Sequence, residues 1–87
     1  MPEICRFLGI AIKMYYDEHN PPHFHVEYGE FKASVRIKDF ALLEGYLPPK
    51  VLGLVVEWAA LRQTDLLHEW ELARNHQPLE KLKPLGE

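Results

Sequence analysis

Cysteine is almost absent from this chain: Cys5 is the only one among 87 residues. One thiol excludes an intramolecular disulfide, and with no signal peptide at the N-terminus it points to a reducing cytoplasm. Long apolar runs are missing too. The longest, Val51 to Leu61, is broken by Gly53 and Glu57. It falls far short of the roughly 20 residues of a membrane helix, so no membrane span is expected. A surplus of positive charge is also lacking. Ten Lys/Arg stand against thirteen Asp/Glu, a formal net charge of −3. Proteins held to nucleic acid mainly by phosphate contacts are usually net basic, so that class loses ground at once.

What is present is a globular composition. Apolar residues make up 47% of the chain and charged residues 26%, which is too apolar for a disordered polypeptide. The length supports one domain, burying only roughly 60–65% of its unfolded surface. Without disulfides, so small a core is completed by tight packing, a metal or a partner chain, a second copy in a homo-oligomer included.

The first half of the chain alternates with period two. Ile10, Ile12 and Met14 oppose Ala11, Lys13 and Tyr15. Phe24, Val26 and Tyr28 oppose His23, His25 and Glu27, and Phe31, Ala33, Val35 and Ile37 oppose Lys32, Ser34, Arg36 and Lys38. Such alternation marks half-buried antiparallel strands. Gly29-Glu30 suits a two-residue type II′ hairpin turn. Its register pairs Tyr28 with Phe31, Val26 with Ala33, Phe24 with Val35 and His23 with Arg36, and sets Glu27 opposite Lys32. Asp17 to Pro22 forms a longer loop stiffened by Asn20-Pro21-Pro22. Gly9 suggests a bend at the start of the sheet, and Ala41 to Tyr46 can add a short fourth strand.

After Tyr46 the period becomes helical. Pro48 and Pro49 suit a first turn, and Val51, Leu54, Val55, Trp58 and Leu61 recur at helical spacing. Leu66, Leu67, Trp70 and Ala73 extend the stripe past Gln63-Thr64-Asp65, either as one bent helix or as a second helix capped by Thr64. Trp58 and Trp70 read as core residues. The expected fold is α+β: an antiparallel three- to four-stranded meander with one face covered by a C-terminal helix or helix pair. It forms a single domain over residues 1–87, mainly β over 1–46, mainly α over 48–76, with a tail over 77–87.

Two constellations carry chemistry. His19, His23 and His25 fall within seven residues on or beside a proline-stiffened loop. Neutral imidazoles so placed are ligands for a divalent transition metal such as zinc, although the spacing matches no standard finger and no fourth ligand is evident. The second constellation is the polar sheet face. There His23, His25 and Arg36 are candidate catalytic residues, with Lys13, Tyr15 and Lys32 beside them to bind substrate. Imidazoles, cations and a phenol suit metal-free acid–base cleavage of RNA, or binding of a phosphate or RNA strand with Tyr15 stacking. The plainer alternative is an ordinary solvated face with histidines at polar positions. No triad around Ser34 is evident, so nucleophilic hydrolysis is not expected.

Arg6-Phe7-Leu8-Gly9-Ile10, the run Met14 to Tyr28 centred on His19-Asn20-Pro21-Pro22-His23-Phe24-His25, Glu44 to Pro48 and Glu57-Trp58-Ala59 together resemble the bacterial "domain of unknown function 4160" family. The resemblance runs from Met1 to about Leu85. That family has no settled activity, so the resemblance assigns no catalytic residue. Its genes often lie beside those of "domain of unknown function 2442" proteins, an arrangement that implies a toxin–antitoxin pair. The resemblance thus implies one component of such a module, with a cognate small protein encoded nearby as partner. Three functional expectations result: an RNA- or translation-directed toxin, a non-enzymatic interaction or regulatory module, and a small metal-binding protein.

Overall fold

A computed structural model describes residues 3–86; Met1, Pro2 and Glu87, at the ends of the segmentation above, lie outside the described residues. Five strands precede two helices: β1 (Glu3–Phe7), β2 (Ile10–Lys13), β3 (His23–Tyr28), β4 (Phe31–Arg36), β5 (Leu42–Gly45), α1 (Pro49–Leu61) and α2 (Gln63–Arg74). The strands form one antiparallel sheet in chain order. The α+β class follows from the change of period, but the count of three to four strands is corrected to five. The uncounted strand is β1. Its register shifts between Glu3 and Cys5, and Ile4 and Cys5 are both buried, so a bulge erases the alternation that marks the other strands.

Turn chemistry sets the register. Leu8 and Gly9 both have positive φ, 50° and 79°, the pattern of a type I′ hairpin, and the bend expected at Gly9 is this turn. Gly29 has φ 56°, as the first central position of a type II′ turn requires, and β3 pairs with β4 from His23↔Arg36 to Tyr28↔Phe31. Gly45 is dictated by close approach: a Cβ there would lie 2.0 Å from the Lys32 carbonyl oxygen.

The face carrying Ile12, Phe24, Val26 and Val35 is sealed by the helices, and each of these side chains is fully buried. Trp58 anchors the layer, with ring centroids 5.8 Å from Phe7 and 6.0 Å from Phe24. The helical segment breaks at Arg62, giving two helices, and Thr64 does not cap the second: the N-cap is Arg62, without a side-chain cap bond. The Gln63 amide instead donates to the carbonyls of Ile37 (2.9 Å) and Lys38 (3.0 Å), tying the junction to the end of β4. Hydrogen bonds to the strands and helices order the tail. Leu82 N–H donates to the Ile4 carbonyl (2.7 Å), Trp58 Nε1 to Lys83 O (2.8 Å), and Glu80 N–H to Glu69 (2.7 Å). It thereby screens the outer edge of β1, while β5 leaves the other edge exposed. No described helix is long and apolar enough to cross a membrane.

Candidate functional site

The helix-free face of the sheet places polar side chains in rows, because register pairs on neighbouring strands share a face. One row runs Lys13↔His25↔Ser34↔Glu44, a second Ala11↔Glu27↔Lys32, and His23↔Arg36 lie at the end. His23 and His25 are two residues apart on β3, so their rings project together. Their centroids are 5.1 Å apart, edge to face. Phe24 and Val26 point into the core, as the alternation requires. The histidines are half-buried rather than freely solvated, with side-chain exposures of 12% and 25%.

Two neighbours cover them. The Asp17 to Pro22 loop returns Glu18 over the strand, where its Oε1 contacts His25 Nε2 and lies 3.4 Å from His23 Nε2. Trp70 of α2 packs against the His23 ring with centroids 5.2 Å apart. The opposite ring nitrogens are also held. His23 Nδ1 donates to the Pro21 carbonyl (2.8 Å), and His25 Nδ1 is 3.3 Å from Ser34 Oγ. One ligand atom each from Glu18, His23 and His25 falls within 4.8 Å of the others. Burial opposes ionisation of Glu18, but the hydrogen bond from His25 and the charge of both imidazoles outweigh it, leaving its carboxyl below the ordinary glutamate value.

The other sequence candidates are placed differently. His19 is exposed on the cleft rim and outside this set, because Pro21 and Pro22 carry the chain past it; Glu18 stands where His19 was expected. Arg36 is opposite His23 in register, but its guanidinium makes a bidentate pair with Asp39, both contacts 2.8 Å. That pairing holds the Asp39 carboxyl down at about 2. Lys13 is likewise bound to Glu27 at 3.1 Å. Tyr15 stands edge-on to His25 with centroids 4.5 Å apart, and Lys32 is exposed. Ser34, dismissed as a nucleophile, is buried and serves His25 instead.

Two clefts open on this face, of about 340 and 400 Å³, and they share His25, Ser34 and Glu44. Glu18 and Glu44 are the site residues that sequence reading missed. Glu18 had a signal in its place beside His19, five residues before His23; Glu44 had none without the β4–β5 register.

A family model described as "Domain of unknown function (DUF4160)" matches residues 9–71, most of the chain. No curated protein and no solved structure matches it.

Proposed function

We propose that this chain, which belongs to the domain of unknown function 4160 family, is a metal-binding protein. In this reading Glu18, His23 and His25 hold one divalent transition ion such as zinc, and an open coordination position faces the cleft. The disposition of the ring nitrogens carries the reading. The Pro21 carbonyl can only accept, so His23 Nδ1 bears its hydrogen. When the ring is neutral, its Nε2 lone pair faces a carboxylate oxygen 3.4 Å away. Two lone pairs so placed repel each other unless a proton or a metal ion lies between them. A tetrahedral ion with arms of about 2.0–2.1 Å sets neighbouring ligand atoms about 3.3–3.4 Å apart, which matches the His23 separation; the Glu18 oxygen sits closer to His25 than that and draws back to admit the ion. Histidines that bind metals usually donate the other ring N–H to a carbonyl or similar acceptor; here Pro21 and Ser34 are the acceptors. At His25 the ion replaces the proton shared with Glu18, as metal binding generally displaces protons. Two histidines and a glutamate with a vacant position form a catalytic zinc set.

Protein purified without a histidine tag tests this. One equivalent of zinc or cobalt should bind, with cobalt giving visible absorption of a low-symmetry site, and Glu18→Gln, His23→Gln and His25→Gln should each abolish it. Binding that is absent, or unchanged in all three variants, sinks the reading.

A second reading keeps the imidazoles without an ion, as an acid–base pair acting on RNA within a two-protein toxin–antitoxin module. The 5.1 Å approach of His23 and His25 favours it. Arg36 and Lys13 are engaged by Asp39 and Glu27, which leaves Lys32 to meet a phosphate. Growth arrest on expression, relieved by a cognate small protein and lost in metal-independent fashion in His23→Gln, would favour this reading over the first.

A further inference from the structure

Resting on the metal reading, we propose that the site is a hydrolytic centre for carboxylic esters or amides, with Glu44 as its general base. Glu44 follows Ser34 and His25 in one register row across β5, β4 and β3. Strands lie about 4.8 Å apart, so Glu44 starts about 10 Å from His25 at the backbone. That gap is wide enough for a water on a bound ion to lie between the two side chains. Glu18, His23, His25, Leu43 and Glu44 all line the smaller cleft. The Glu44 side chain makes no hydrogen bond or ion pair among the described residues and is exposed. Its carboxylate is therefore available to a proton.

The chemistry balances without any further reagent. The ion lowers the pKa of its bound water, and Glu44 takes one proton from it. The resulting hydroxide oxygen bonds to the substrate carbonyl carbon, and the carbonyl π pair moves onto oxygen, where the ion stabilises it. Collapse breaks the bond from carbon to the leaving oxygen or nitrogen, and Glu44 returns the proton to the departing alkoxide or amine. One water is consumed, one acid and one alcohol or amine are formed, and nothing is oxidised or reduced. The larger cleft, beside Tyr15 and Lys32, receives the rest of the substrate.

Charge selects the substrate class. The clefts are lined by Glu18, Glu27 and Glu44 and by the cation Lys32; Glu18 is a ligand and Glu27 is paired with Lys13, so Glu44 is the free carboxylate beside the ion. The guanidinium that would clamp a phosphodiester, Arg36, is locked to Asp39. An uncharged carbonyl enters without repulsion; a phosphodiester anion meets Glu44 directly.

The experiment uses the full chain loaded with one equivalent of zinc, assayed with p-nitrophenyl acetate, a p-nitroanilide and bis(p-nitrophenyl) phosphate. The ester and anilide should be cleaved faster than by free zinc, and the phosphodiester should not. Glu44→Gln should retain the zinc but lose on the order of 100-fold in kcat, the size expected for a general base. Added formate should restore part of the rate to Glu44→Ala. Zinc bound with no hydrolysis, hydrolysis confined to the phosphodiester, or full activity in Glu44→Gln each overturns this proposal while leaving the metal site standing. A protein that binds no zinc removes the metal reading itself, and this proposal with it.

Discussion

The Trp70 indole lies against the imidazole of His23, ring centroids 5.2 Å apart and inclined at 52°. A candidate ligand on the sheet is thereby braced by the second helix, and the site reports to a fluorophore. Trp70 is 2% exposed, so its emission responds to this contact more than to solvent.

A paramagnetic ion bound at His23 should therefore quench Trp70. In a Trp58→Phe background Trp70 is the sole indole, and one equivalent of copper(II) or cobalt(II) should remove most of its emission. His23→Gln should abolish the effect. Quenching that needs many equivalents, or that survives in His23→Gln, would place the ion elsewhere.

Trp58 carries a different load. It is fully buried between Phe7 and Phe24, and its Nε1 donates to Lys83 O at 2.8 Å. Trp58→Ala leaves a cavity and removes one of the two donors to the Lys83 carbonyl, the other being Arg62 Nε, so a loss of about 3–5 kcal/mol is expected. Chemical denaturation measures it. A loss below about 1 kcal/mol, typical of surface substitutions, would contradict the packing described.

Much of this arrangement was legible because it depends on local rules. The alternation around Gly29-Glu30 set the register of β3 on β4, and with it the shared face of His23 and His25. Pro48 and Pro49 with the Val51-Val55-Trp58 stripe located α1. What escaped were relationships that period two cannot encode. The bulge in β1 buries adjacent residues Ile4 and Cys5, so the strand carries no alternating signature. The direction of the loop decides that Glu18, and not His19, reaches the histidines. Arg36 lies opposite His23 as the register requires, but Asp39 three residues on binds its guanidinium, a competition that only side-chain geometry resolves.

Glu69 gives a pH test away from the site. Its carboxyl is fully buried: one oxygen accepts from Glu80 N–H at 2.7 Å and the other has no partner among the described residues. Burial pushes its pKa up, against the lowering effect of the Glu80 N–H. A group whose pKa is raised by folding contributes its full stability below the ordinary glutamate value and loses it as pH rises through the raised one. The contribution of Glu69 should therefore grow as pH is lowered from neutrality toward the ordinary glutamate value, and Glu69→Gln should remove it from the profile. Urea denaturation across this range decides; identical slopes in the two proteins would mean that Glu69 does not titrate in this window.

The two histidines can be judged together by their effect on stability with and without an ion. His23 and His25 are half-buried and make their main contacts with Glu18, Pro21 and Ser34, so replacing both with Gln keeps size and hydrogen-bonding capacity. The fold should survive. A ligand that binds only the native state stabilises it by about 2.7 kcal/mol at a hundred times its Kd. For a domain of this size each kcal/mol is about 4–8 °C in Tm. Zinc should accordingly raise the melting temperature of the unaltered protein by on the order of 10 °C and leave the double variant unmoved. A double variant that melts many degrees lower even without zinc would make the histidines structural in their own right. One that keeps the full zinc response would exclude them as ligands and turn attention to His68, Glu69 and Glu80, whose ligand atoms also lie within 4.8 Å of one another.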